Sequence, residues 1–480
     1  MDASAVQAAG IARNQSVSDL TTPLMDNTHG KQGDDVTASA NTTPCSTPEH
    51  HSLFLRVSGW LATAGCILLL LSVSVSKAGQ NIGGGLLLLA FLTAGAQVWR
   101  EALRHRIVWA TLAWIAAITA SMIYAATAVG VPLEEQTTHL WRFSRLFLIP
   151  LVAWGVAVSR LGPHNAYVIL FAAFVLGTLY HMSAAGWPWF FTHSGRADIS
   201  GENVQFYGLL SATALIAAMV FGSAVHRHVY TTARRVAHYT LWGVVALAAI
   251  QGLFISLARG AFLALAVAGT VWCGLTAWRT LYHSTLRWPH ALATASITIG
   301  IATAIVYSGV VDHSIGRVQT DVEALMAGPD PETGFFQDRS MGIRLNQWQV
   351  GLSAFFDHSL LGHGTDGSRF VRDNAELPER SARAAPHHFH NIYIDVLIRF
   401  GILGALVIGW FTVEYLRAIR HANPDTSPPI APFAMLALLL FLVAGLTQTY
   451  WTSQVTWFYL AAVFGPACAG TFTHPSQGGR

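Results

Sequence analysis

Twelve apolar runs, most of them about twenty residues long, follow one another through this chain, and that repetition limits its fold more than any other feature. They lie near 57–76, 82–99, 107–129, 146–159, 165–183, 203–225, 239–257, 260–278, 291–311, 389–412, 431–448 and 453–470. Inside hydrocarbon a backbone must satisfy its own N–H and C=O groups, so such runs become helices. The pattern predicts an all-α polytopic membrane protein of about twelve transmembrane helices with one large, partly helical loop. With 52% apolar and 11% charged residues, a soluble globular domain is excluded.

The organisation follows. Residues 1–55 are polar and rich in Ser, Thr and Asp, which predicts a disordered cytoplasmic tail; no basic stretch and apolar core mark a signal peptide. Helices one to nine occupy 56–311, a loop or cap 312–388, helices ten to twelve 389–470, and a cytoplasmic tail 471–480. The short segment 146–159 gains length from the amphipathic stretch Glu134–Arg145 before it. With the N-terminus inside, the inner loops hold eleven arginines and the short outer loops only five positive residues, Lys77, Arg142, Arg145, Arg196 and Arg259. That bias puts both termini in the cytoplasm. The four cysteines have no motif spacing and none lies in 312–388, so no disulfide is expected there. No internal repeat argues for an inverted-repeat transporter.

The loop 312–388 is too long for a simple connection. Leu345, Trp348, Leu352, Phe355 and Phe356 form one apolar helical face within 345–360. A glycine-rich turn, Leu361-Gly362-His363-Gly364-Thr365-Asp366-Gly367, follows, and Arg369, Arg372, Arg380 and Arg383 come before Pro386. This reads as a small cap over the outer face, the bland alternative being a solvated loop with an incidental helix.

Short outer loops normally avoid positive charge. Arginines retained there point to an anion, and in a membrane the natural one is a lipid phosphate or pyrophosphate. Arg259 falls where one apolar segment meets the next, in Ser256-Leu257-Ala258-Arg259-Gly260. A cation at a helix N-terminus opposes the macrodipole unless an anion binds there. Arg142 and Arg145 are i,i+3 neighbours, with His139 a turn earlier. Arg196 shares an outer loop with Trp187 and Trp189, and Arg344 lies in the long loop. Snorkelling to lipid headgroups is the competing reading for each short-loop arginine.

His390-Asn391 stands where a helix begins after Pro386. In the first turn His390 would stay neutral, disfavoured as imidazolium by the helix dipole, and could accept a proton from a sugar hydroxyl. A near-normal imidazole would make the rate fall below a pH of ~6.5. Interfacial anchoring competes with this reading. His387 and His390 at i,i+3 raise a metal, but no outer carboxylate pair accompanies them, and no metal is expected. Asp395 and Arg399, i,i+4 in an apolar helix, read as a neutralising structural pair or, second, as part of a proton path.

Together, Ser-Leu-Ala-Arg259-Gly-Ala-Phe-Leu, Arg344…Trp348, Leu361-Gly-His-Gly364 and His390-Asn391-Ile-Tyr393-Ile…Phe400-Gly401-Ile-Leu-Gly404 resemble the O-antigen ligase and polymerase superfamily over roughly 190–410. The resemblance implies a glycosyltransferase of the bacterial inner membrane, multi-pass, with its active site facing the periplasm. It implies an undecaprenyl-pyrophosphate-linked O-antigen donor, no metal and no cofactor. It makes His390, Arg259 and Arg196 the catalytic group, with Arg142, Arg145, Arg344 and Asn391 binding pyrophosphate or glycan. One large loop before the histidine helix favours the ligase branch, whose acceptor is the lipid A-core. Polymerases and protein O-oligosaccharyltransferases are the alternatives within the superfamily, and a polyprenyl-linked glycan transporter is the alternative outside it. Membrane lipids are expected partners and nucleic acid is not; the sequence leaves the oligomeric state and the sugars open.

Overall fold

The computed structural model describes residues 49–159, 161–185, 204–224, 231–256, 258–282, 319–320, 322–323, 325–337, 339–383, 388–421 and 429–473. Among these residues there is no strand. The first part of the bundle is α1 (Glu49–Ser72), α2 (Lys77–Thr93), α3 (Ala96–Ala102), α4 (Arg106–Tyr124), α5 (Leu133–Ser144), α6 (Leu148–Val158), α7 (Gly162–Ala185), α8 (Val204–Ser223), α9 (Thr232–Ser256) and α10 (Arg259–Tyr282). The long loop contributes α11 (Ser340–Asp357), α12 (Gly367–Asp373) and α13 (Glu379–Arg383). The chain then continues through α14 (Ile392–His421), α15 (Ile430–Gly445) and α16 (Gln454–Phe464).

Eleven of the twelve expected segments coincide with helix; 291–311 lies outside the described residues. Among the described residues eight helices are long and apolar enough to span a membrane, and up to ten if two bent pairs each count as one span. The bends are 108° between α2 and α3 and 57° between α16 and Pro466–Phe472. At 16 residues, α15 is shorter than a full span. The short sixth helix does gain its length from the segment before it: Leu133–Val158 qualifies as one span through a single 3-10 turn, Arg145–Phe147. α1 starts at Glu49, inside the stretch expected to be tail.

α1 packs on α2, α8 on α9, α10 on α15, and α4 on α14. The main core runs through all of them. At its centre Trp114, Phe143, Phe400, Trp451 and Trp457 meet edge to face or tilted, with Trp451 and Trp457 stacked, and neighbouring ring centres are 5.2–6.4 Å apart. A second, small core lies under the cap: Val371, Phe389, Ile394 and Ile398, covered by Trp348, Val350 and Ala354. The apolar face expected within 345–360 is only partly inward, since Leu352 and Phe356 are exposed.

α14 is broken rather than continuous. Gly401 has φ 62° and ψ −163°, a conformation essentially reserved for glycine. The break frees carbonyls and amides in the middle of an apolar helix, where each needs a partner inside the protein. The glycine-rich turn supplies them. His363 N–H donates to Ile398 O and Gly364 N–H to Arg399 O, both at 2.8 Å. In return Ile402 N–H donates to Ser359 O (2.8 Å) and Leu403 N–H to Leu360 O (3.2 Å). Ser121 of α4 donates to both Leu361 O (2.6 Å) and Arg399 O (2.8 Å). Gln136 of α5 donates to His363 O and accepts from Thr365 and Asp366. A Cβ on Gly362, at φ 70°, would lie 2.6 Å from the Arg399 backbone, which is why the turn is glycine there.

Gly401→Ala is therefore expected to destabilise the protein by about 1–3 kcal/mol from backbone conformation alone, and by more because the new methyl would collide with Leu360 O. Gly409→Ala, on the same helix with no atom within 4 Å of its Cβ, is the control. It should leave thermal unfolding in detergent unchanged or slightly raised.

The buried pair Asp395–Arg399 fixes the same region. Arg399 Nε donates to Asp395 Oδ2 (2.9 Å), and Arg399 also reaches Thr365 O. Ser368 Oγ donates to Asp395 Oδ1 (2.5 Å) and Trp451 Nε1 to Oδ2 (2.8 Å). Cap, helix α14 and the turn before α16 thus meet on one carboxylate. These bonds give the pair a structural role.

Candidate functional site

Three helix ends converge beside His390: the start of α14, the start of α10 and the end of α15. A Cβ on Gly445 would lie 2.5 Å from Ile392 Cγ2, and one on Gly260 would collide with Thr447 Oγ1. Arg259 is therefore one residue from a close contact with the turn that carries Gln448. Small residues at these ends are what let the backbones approach.

His390 is not in the first turn of a helix. α14 begins at Ile392, and Asn391 is its cap: Oδ1 accepts from Tyr393 N (2.9 Å) and Ile394 N (3.2 Å), and Nδ2 donates to Leu446 O (3.3 Å). His390 lies just outside, with φ 53°, the one non-glycine residue with positive φ among the described residues. Such a conformation persists only when its neighbours hold it. Here Asn391 is pinned on one side and Trp348 Nε1 donates to Phe389 O (2.8 Å) on the other. His388 accepts from His390 N–H through Nδ1 (3.2 Å), and the two rings stand perpendicular, 4.6 Å apart. His390 lies ahead of the helix, and His387, its expected i,i+3 neighbour, lies outside the described residues.

The ring has a defined orientation. His390 Nδ1 is 2.9 Å from Gln448 Oε1, an acceptor, so Nδ1 carries the hydrogen and donates it. The lone pair is then on Nε2. Burial depresses the pKa of His390 below its usual 6.5, and the positive charges of Arg344 and Arg372 depress it further; the Gln448 hydrogen bond acts the other way. What favours the neutral ring is burial and two arginines, not the helix dipole invoked from the sequence. The near-normal imidazole of the sequence reading becomes a depressed one.

The candidate arginines fall into two groups. Arg344, half-buried in α11, acts on His390 and also on Tyr450, so the cap brings it to the histidine. Arg259 is exposed at the first helical residue of α10, after Ala258, whose carbonyl accepts from Ala261 and Phe262. Arg142 and Arg145 belong to a neighbouring group. The charges around Arg142 are those of Arg399 and Asp366, and Asp366 pairs with His139 (3.0 Å). Arg145 is 7% exposed, lies over the rings of Trp141 (5.7 Å) and Phe458 (5.3 Å), and its Nη1 has no hydrogen-bond partner among the described residues. Arg196 lies outside the described residues.

Two residues at the histidine were not singled out from sequence. Gln448 sits in the polar end of an apolar run, Thr447-Gln448-Thr449, and is 4% exposed. A buried amide at a helix end was the available signal. Arg372 was read only as one cap arginine among four. It is buried, and its guanidinium donates to Ser381 O and Ala382 O, which ties α12 to α13 beside the site. Among the described residues no three His, Cys, Asp or Glu side chains gather as metal ligands do.

No curated protein matches this chain. A family model does: the one described as O-antigen ligase matches residues 242–409, a stretch that includes Arg259, Arg344, Arg372, the glycine turn and His390-Asn391. Over that stretch the chain is similar to the O-antigen ligase domain.

Proposed function

We propose that this protein is an inverting, metal-independent O-antigen ligase of the bacterial inner membrane. It would transfer O-antigen polysaccharide from undecaprenyl pyrophosphate to the lipid A-core on the periplasmic face. The coarser statement, a membrane enzyme of the glycosyltransferase type acting on O-antigen-like glycans, follows from the domain. The observation that carries the finer one is His390: a neutral ring, turned by Gln448 so that Nε2 accepts, with two arginines close by.

In this reading an acceptor sugar hydroxyl attacks the anomeric carbon while His390 Nε2 takes the hydroxyl proton. The bond from that carbon to the pyrophosphate oxygen breaks, and lipid pyrophosphate leaves with the electron pair. One displacement inverts the anomeric centre. Charge grows on the leaving oxygen, and guanidinium groups stabilise it. Arg259 is the best-situated of them, at a helix start whose N–H groups favour the same anion. Arg344 shares that role from the cap, and Arg196 shares it by resemblance. The unpartnered Nη1 of Arg145, with Arg142 beside it, supports a second anion contact. Asn391, expected from the resemblance to bind substrate, is read here as positioning the histidine, since its side chain caps α14 and holds Leu446 O.

Two experiments test this. In a deletion strain, long lipid-linked polymer with bare lipid A-core supports a ligase; single repeat units still attached to core would make it a polymerase instead. With purified protein and a lipid-linked donor, full activity is expected in excess EDTA. Loss on chelation, restored by one divalent metal, would overturn the metal-independent mechanism.

A further inference from the structure

At the far end of α14 from His390 a second concave site opens between α14 and α4. It is a cavity of about 530 Å³, lined by Arg106, Trp109, Trp410, Val413, Glu414 and Arg417. We propose that this groove binds one anionic phospholipid, its phosphodiester between Arg106 and Arg417 and one acyl chain along α14.

The polar end is built rather than incidental. Glu414 is 5% exposed and holds two groove residues in place: it accepts from Arg417 Nη1 at 2.5 Å and from Trp410 Nε1 at 3.2 Å. Arg106 comes from the other helix, as the first residue of α4, where the helix dipole adds to its charge. Two guanidinium groups and one carboxylate leave a net charge of +1 at the rim, which matches the single negative charge of a phosphodiester. An ion pair that is already satisfied needs no ligand; the second arginine, across the groove, is what the pair does not neutralise.

The apolar end fits a lipid tail. Trp109 and Trp410 are 52% and 41% exposed, and their indoles donate to Leu103 O and Glu414, so their rings are fixed as walls. Ile402, Leu406, Trp410 and Val413 recur at helical spacing as exposed residues on α14. From Arg417 back to Ile402 the helix covers about 22 Å. That exceeds half of a hydrocarbon core about 30 Å thick, so a chain anchored at the rim stays in its own leaflet along this track. A smooth helix surface would take any lipid; a concave one with a net positive rim selects by headgroup.

Native mass spectrometry of the purified protein, incubated with equal amounts of dioleoyl-phosphatidylglycerol and dioleoyl-phosphatidylcholine, tests this. Wild type should retain phosphatidylglycerol over phosphatidylcholine by about tenfold, because both lipids offer the phosphodiester but the choline of the second sets another positive charge against a rim that is already net positive. Arg417→Gln and Arg106→Gln should each remove most of that preference, and Arg106→Lys should keep part of it. Arg106 is exposed, so its variants read binding even if changes beside Glu414 disturb folding. Equal retention of the two lipids by wild type would overturn the site. So would an undiminished preference in Arg106→Gln, or displacement of phosphatidylglycerol by equimolar undecaprenyl phosphate, which would make the groove a carrier site. Glycosyl transfer is not the readout, so failure here leaves the reading of His390 standing.

Discussion

His390→Ala abolishes glycosyl transfer in purified protein, by ~10²–10⁴-fold or more, while binding of the lipid-linked donor stays largely intact. In the proposed mechanism the arginines would hold the pyrophosphate, and the histidine would handle only the acceptor proton. His388→Ala should cost far less, because His388 touches His390 through its backbone amide and ring edge, not through Nε2. His387→Ala should also be mild. Equal losses at all three would point to a metal cluster or to local misfolding. Retained activity in His390→Ala would refute the base assignment. The pH profile gives a second, independent readout. Burial and the charges of Arg344 and Arg372 both disfavour the imidazolium, so the acid limb of the wild-type rate lies below pH 6.5. Arg344→Ala removes one of those charges. The pKa of His390 then rises, and the acid limb moves to higher pH. A limb that stays in place in that variant would show that Arg344 does not act on His390.

Arg259→Ala lowers transfer by ~10²–10³-fold at matched membrane levels, the typical effect of losing one donor to developing negative charge. Lys at this position restores only part, since one ammonium cannot reproduce a planar two-pronged contact. The exposed position of Arg259 at a helix start makes a folding defect an unsuitable explanation for a large loss. Arg196→Ala is expected to behave in the same way on the strength of the resemblance. Full activity in both alanine variants would sink the pyrophosphate clamp assigned to Arg259 and Arg196.

The helices were legible because apolar length alone decides them. What was not legible is where a helix stops being one. Phe400-Gly401-Ile402-Leu403-Gly404 reads as an uninterrupted apolar run, and the break at Gly401 appears only because a turn forty residues earlier in the chain arrives to satisfy the freed backbone. The histidine was found through its motif but placed one turn too far into α14. Asn391, a standard cap residue, carried the correcting signal. Gln448 escaped because an amide at the end of an apolar helix usually faces water; its contact with His390 spans 58 residues of sequence. Arg142 and Arg145 were grouped with the histidine by charge and sidedness. In the fold Arg142 lies in the field of Asp366 and Arg399, and Arg145 lies in that of Arg142 and over Trp141 and Phe458.

That glycine turn also limits how the cap can move. Its amides complete the hydrogen bonding of a membrane helix, so lifting it away would leave Ile398 O, Ile402 N–H and Leu403 N–H of α14 unpaired in an apolar interior, Arg399 O keeping only Ser121, each at a cost of several kcal/mol. The turn behaves as a rivet through the broken helix rather than as a door over it. In the proposed reaction a donor lipid and a bulky acceptor would therefore reach His390 by passing around this fixed point, from the membrane side or over the rim of α11. Their traffic would be steered by a piece of backbone that cannot yield.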